Sequence, residues 1–226
     1  MSDITIDESL FNPTTTPAEA LNIVGLNTLV EQCVFMLPGC GDLMLRKTLQ
    51  DVFRDLCRRT GTLTMTDTGV VTWEDPSLSL CKDYGEFLVL KSVRIENDDG
   101  ELSDLALSEV ELENESGQMS VLFSLPDDDD DESGDPNEYD VEAVFSYIPK
   151  IGTENAPLWY LNKYGDAIVA GTLFRLLSMP NKPWSDPTTA QLKGIEYQNA
   201  LNNATIDRLT EGNYRDLNCR APLHFV

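Results

Sequence analysis

The side chains able to do covalent chemistry are few and poorly placed for it. The 226-residue chain has one histidine, His224, in an unpatterned stretch at the C-terminal end. A serine or cysteine nucleophile needs a firmly held base to take its proton, so Ser-His-Asp and Cys-His catalysis are not expected. There is no glycine-rich loop with the spacing of a phosphate cradle and no His-Glu-x-x-His helix, which removes the usual nucleotide and zinc-hydrolase readings. Five cysteines, Cys33, Cys40, Cys57, Cys81 and Cys219, are odd in number and form no Cys-x-x-Cys pair. They read as reduced, mostly buried thiols rather than a disulfide framework or a four-ligand zinc site.

Carboxylates are the abundant reactive type, and counting alone leaves open an acid pair for glycoside hydrolysis or a two-metal cluster. Their distribution favours solvation. Of 39 acidic residues, 19 fall between Glu96 and Glu142, where there is no Lys or Arg; the rest of the chain carries only −4 of the net charge of −23. Asp127, Asp128, Asp129, Asp130 and Asp131, followed by Glu132-Ser133-Gly134-Asp135-Pro136, lack the spaced acidic-glycine-glutamate order of a calcium loop. Five adjacent like charges resist compaction, so this acidic run is expected to be a solvated loop without a specific metal. No cofactor is expected. A polyanion cannot release counterions from a phosphate backbone, so attractive nucleic-acid binding is not expected either.

The elements that would position these groups follow from periodicity. Thr16-Pro17-Ala18-Glu19 has the order of a capping box with Pro at the first helical position, and Gly25 is expected to interrupt the helix begun there. A second apolar stretch, Leu26 to Leu37, ends against Pro38-Gly39. Leu45, Leu49, Val52, Phe53 and Leu56 recur at spacings of three and four, which predicts an amphipathic helix with Arg58 and Arg59 at its cationic end and Gly61 as its stop.

Beyond Gly61 the period shortens towards two. Runs at 70–73, 87–90, 92–95, 121–123 and 141–148 predict strands between turn clusters such as Asn97-Asp98-Asp99-Gly100. Helical spacing returns at Pro157, where Leu158, Leu161, Tyr164, Ile168, Leu173 and Leu176 form a broad apolar face and Gly165, Ala167, Ala170 and Gly171 allow a neighbouring helix to approach closely. Ser185-Asp186-Pro187 predicts the start of a last helix over Thr188 to Leu209. Its apolar residues Leu192, Ile195, Tyr197, Leu201, Ala204, Ile206 and Leu209 draw no sharp core edge.

Helices, then strands, then helices suggest an α+β chain: a helical bundle from 1–66 and 150–226, an inserted antiparallel β domain over 67–149 with the acidic loop, and a tail over 212–226. No run approaches the roughly 20 apolar residues of a membrane span. Met1 to Phe11 is acidic and lacks a signal-peptide pattern, so folding in the cytosol is expected.

Two stretches resemble the head-to-tail adaptor (connector) proteins of tailed bacteriophages. One is Leu37-Pro38-Gly39 followed by the helix ending Phe53-Arg54-Asp55-Leu56-Cys57-Arg58-Arg59-Thr60. The other runs from Tyr160 through Tyr164-Gly165-Asp166 and Gly171 to Pro180, then Lys182-Pro183-Trp184-Ser185-Asp186-Pro187. The resemblance spans somewhat over 90 residues in the helical parts. It does not extend to the N-terminal 25 residues or the acidic loop.

The resemblance implies a non-enzymatic virion subunit of the neck, assembled in the host cytoplasm. It implies a ring of twelve copies, joined to a portal protein on one side and a tail or nozzle protein on the other, around a passage that DNA crosses without specific binding. The segment Pro222, Leu223, His224, Phe225 and Val226 is then the candidate for portal docking. Another neck or tail-completion protein, and a small acidic cytoplasmic enzyme or regulatory protein, are the alternatives. Each shared residue also has a plain packing role: Trp184 between two prolines suits a lid on the helical core, and Gly165 and Gly171 suit close helix contact.

Overall fold

The computed structural model describes residues 23–72, 75–80, 85–96, 102–108, 110–115, 118–123 and 138–210. The capping box at 16–19, Cys81, Cys219, Asp127 to Asp131, and Pro222 to Val226 lie outside the described residues.

Among the described residues there are four helices, α1 (Asn27–Val34), α2 (Asp42–Thr60), α3 (Leu158–Leu177) and α4 (Pro187–Thr210). Nine strands form three antiparallel sheets: β1 (Ile23–Gly25), β2 (Thr64–Thr72), β3 (Ser77–Leu80), β4 (Gly85–Glu96), β5 (Leu102–Leu105), β6 (Val110–Glu115), β7 (Gln118–Phe123), β8 (Glu138–Pro149) and β9 (Asn155–Pro157). The sheet orders are β1-β9, β2-β8-β4-β5 and β3-β7-β6.

Helix α2 has Asp42 in its first turn and Arg58 and Arg59 in its last, matching the macrodipole. Gly61 ends it in the left-handed conformation, φ 60°, with its N–H donating to Cys57 O at 2.9 Å. Leu45, Leu49, Val52, Phe53 and Leu56 are buried, as their spacing predicts. Helix α3 lies innermost, with buried residues on every side from Tyr160 to Leu177, and packs against both α2 and α4. Gly171 permits this: a Cβ there would stand 2.7 Å from Val52 Cγ1 and 2.9 Å from the Tyr197 ring. Gly165 has more room, with only Leu29 Cδ2 at 3.4 Å.

The two larger sheets enclose a second core in which alternate residues point inward: Val141, Ala143 and Phe145 on β8, Val93 and Ile95 on β4, Val121 and Phe123 on β7. The runs at 87–90 and 92–95 belong to one strand, β4, whose register against β8 shifts twice. Such bulges displace the inward alternation by a residue, which makes one strand read as two.

The expected helical bundle with an inserted β domain is corrected by this architecture. The chain is mixed α/β, with helices early and in the C-terminal part and strands built among them. Gly25 does not interrupt a helix; it closes β1, which pairs with β9 as Ile23↔Pro157, Val24↔Ala156 and Gly25↔Asn155. The large sheet is joined to the helices rather than set apart: Tyr147 on β8 packs against both cores. Arg54 on α2 donates to Pro149 O at 2.9 Å and pairs with Glu86 on β4. Three-residue strands are too short to show a period of two, so nothing in the local pattern distinguished them from loop.

Candidate functional site

Of the residues that carry the resemblance, Phe53, Cys57 and Tyr164 meet at Tyr160, whose ring is fully buried. Phe53 meets it edge-on at 5.5 Å between centroids and 68°, and Tyr164 stacks at a tilt from the next turn of α3 at 4.8 Å. These are favourable aromatic geometries. The Tyr160 hydroxyl accepts from the Cys57 thiol at 3.4 Å and shares a hydrogen bond with Thr62 Oγ1 at 3.2 Å. Thr62 in turn meets Thr60 Oγ1 at 2.8 Å, and Thr60 donates to Leu56 O at 2.7 Å. Every polar atom of this small network has a partner, which is what allows it to be buried.

Burial pushes the Cys57 thiol up to about 12, and burial first, then Cys57, raises the Tyr160 hydroxyl well above its ordinary value. A thiol so held stays protonated and is no nucleophile at neutral pH. Cys33 is buried and pushed up by desolvation to about 11, while Cys40 is half-buried. Arg58 lies exposed on the outer side of α2.

A second polar cluster went unnoticed in the sequence. Asp55 on α2 accepts from Arg59 Nε at 3.2 Å, from Arg175 Nη2 on α3 at 3.0 Å and from the Tyr197 hydroxyl on α4 at 3.1 Å. Its partners on α3 and α4 stand 120 and 142 residues away, and no local signal marks Asp55 among the polar residues of α2. The acid is paired and carries only structural contacts.

In the link after α3, Trp184 is 9 % exposed and lies against the helical core, with Lys182 Nζ 6.0 Å from its ring. Its indole N–H is buried and has no hydrogen-bond partner among the described residues. Pro183 is exposed. Asp186 caps α4, accepting from the N–H of Thr188 at 3.1 Å and of Thr189 at 3.2 Å, and Pro187 takes the first helical position.

No protein-family model and no curated protein sequence matches this chain. What it offers chemically must therefore be read from its own residues. Among the described residues no three His, Cys, Asp or Glu side chains converge as metal ligands would. No described helix is long and apolar enough to cross a membrane.

The surface is more telling. An open apolar groove of about 290 Å³ runs along β4 and β6, lined by Phe87, Leu88, Val89, Leu90, Leu107, Val110 and Leu112. Phe35 and Leu43, at the turn between α1 and α2, are 89 % and 82 % exposed. On α4, Leu192, Ile195, Ile206 and Leu209 all face outward. The spacing of three between members of each pair was visible in the sequence, but not that this face stays uncovered.

Proposed function

We propose that the chain is a structural virion subunit, a head-to-tail adaptor in the neck of a tailed bacteriophage. In this reading twelve copies form a ring between the portal protein and a tail or nozzle protein. The observation that carries it is the role of the shared residues: Phe53, Cys57, Tyr164, Gly171, Trp184, Asp186 and Pro187 all pack or cap helices. Nothing among them is chemically activated, which suits a protein that works by contact. A ring requires two different, complementary faces on each subunit. Large apolar side chains exposed at the α1–α2 turn and along the β4–β6 groove supply candidates for such faces.

The charge suits the passage of DNA. At −23, the subunit repels phosphate and lets a genome slide without specific contacts. The segment Pro222 to Val226 is the proposed portal-docking element.

The test is mass spectrometry of purified virions together with capture of the purified chain by its portal protein. Presence in the virion and retention by the portal are expected, with a chain lacking residues 223–226 retained less while melting at the same temperature. Absence from virions sinks the proposal.

A further inference from the structure

The outward face of α4 has a pattern that a merely solvated helix does not need. Leu192, Ile195, Asn199, Asn202, Ile206 and Leu209 follow one another at intervals of three, four, three, four and three, the a and d positions of a heptad repeat. All six are exposed; the four apolar ones are 58 %, 60 %, 56 % and 64 % open. The buried residues of the same helix, Ala190, Tyr197, Leu201 and Ala204, lie on the opposite side and face the chain's own core. The seam is therefore additional to the fold. It extends about 26 Å at 1.5 Å per residue.

Two features indicate what covers it. First, the order reads the same from either end: Leu, Ile, Asn, Asn, Ile, Leu. When two copies of α4 lie antiparallel about a two-fold axis centred between Asn199 and Asn202, each residue meets its own kind. Leu192 then faces Leu209, Ile195 faces Ile206, and Asn199 faces Asn202. This symmetry is needed only for an antiparallel self-pair, whose interface is isologous. Opposed helix dipoles favour the same orientation. A slip by one heptad sets an Asn amide against an apolar residue and leaves it without a partner across the seam, so the central layer also fixes the register.

Second, the flanks are almost uncharged. The positions bordering the seam are Gln191, Gln198 and Thr205 on one side and Glu196, Asn203 and Thr210 on the other. The one acid, Glu196, accepts from Lys193 Nζ at 2.6 Å. On a chain of net charge −23, such a face is where a second copy meets least repulsion.

We propose that α4 is a pairing site for a second copy of this chain, helix against helix, antiparallel about a two-fold axis. The contact is distinct from the head-to-tail contacts of a ring and does not rest on the adaptor reading.

Sedimentation of the full chain across the micromolar range tests the pairing. A concentration-dependent monomer–dimer equilibrium is expected, weakened about tenfold or more by Ile206→Lys and retained by Ile206→Leu. Because Ile206 is exposed, both variants should melt with the parent at low concentration. Orientation is read from oxidative crosslinking of mixed Leu192→Cys and Leu209→Cys chains, assigned by peptide mass. Disulfides between unlike variants are expected. A monomer at every concentration overturns the proposal, whether α4 is uncovered or residues 211–226 of the same chain lie over it. Dimers or larger assemblies indifferent to Ile206→Lys, or crosslinks joining only like variants, overturn it as well.

Discussion

Tyr197 on α4 donates its hydroxyl to the Asp55 carboxylate on α2 at 3.1 Å, and the same oxygen accepts from Arg175 on α3 at 3.0 Å. One carboxylate, 20 % exposed, thus ties together three helices from opposite ends of the chain. Asp55→Ala leaves Arg59, Arg175 and a buried tyrosine hydroxyl short of a partner, and should cost about 2 kcal/mol. Tyr197→Phe, which loses one bond and keeps the packing, should cost about 1 kcal/mol. Urea unfolding of both and of the double variant is the measurement. The double should lose less than the sum, because the two changes remove one shared interaction.

Gly171 and Gly165 should respond oppositely to alanine. At 171 the new methyl is forced against Val52 and Tyr197, both buried and unable to yield freely, so Gly171→Ala should destabilise by about 1–3 kcal/mol despite better helix propensity. At 165 the methyl gains ordinary contact with Leu29, so Gly165→Ala should be neutral or stabilising by up to about 1 kcal/mol. Thermal melting of the pair distinguishes close helix approach at 171 from a general need for glycine in α3.

Stability should fall in alkali, and earlier than ordinary tyrosines would dictate. Burial holds the Cys57 thiol at about 12 against an ordinary 9.0, so above pH 9.0 the unfolded chain gives up a proton that the native chain keeps. Unfolding is then favoured progressively as pH rises from 9.0 to about 12. Tyr160, raised chiefly by burial, and Tyr197, raised by burial and then by Asp55, add to the loss above their ordinary value of 10.0. Cys57→Val should flatten the decline in unfolding free energy between about pH 8 and about pH 11. An unchanged slope would contradict the assignment.

The cap of α4 should fail in acid. Asp186 is held below its ordinary 3.8, first by the Thr189 hydroxyl and then by the N–H groups it caps. Its contribution is full above 3.8 and is lost as pH falls through the lowered value. Asp186→Ala should lower the melting temperature at neutral pH, and the gap from the parent should close in strong acid. Asp186→Asn, which keeps the cap without the charge, should retain most of the neutral-pH stability and lose the pH dependence.

The start of α4 and the stop of α2 were legible because caps and stops are local chemistry, whereas the boundary expected at Gly25 was not one. Asp186-Pro187 starts α4 and Gly61 stops α2 through groups only a few residues apart. The burial of α3 was legible too, since a helix apolar or small on nearly every side has no other place to go. Strands β2, β4, β7 and β8 showed in their alternation. The overall assembly did not. Strands β1 and β9 exist only because residues more than 120 positions apart meet, and Tyr147 joins the two cores from a strand that reads like its neighbours.

The division is sharpest on α4. Its nine apolar residues fit a helix by spacing alone, and the amino-acid order determined that helix and its cap. Which of them are buried was decided by α3: Gly171 admits the ring of Tyr197, and Gly194 on α4 leaves room for Phe174, whose ring a Cβ there would approach to 3.0 Å. That contact rotates Tyr197, Leu201 and Ala204 inward and turns Leu192, Ile195, Ile206 and Leu209 to the outside. Periodicity tells a helix from a strand because it reports the geometry of one chain segment, whereas the choice of buried face depends on the shape of a surface contributed from elsewhere in the chain.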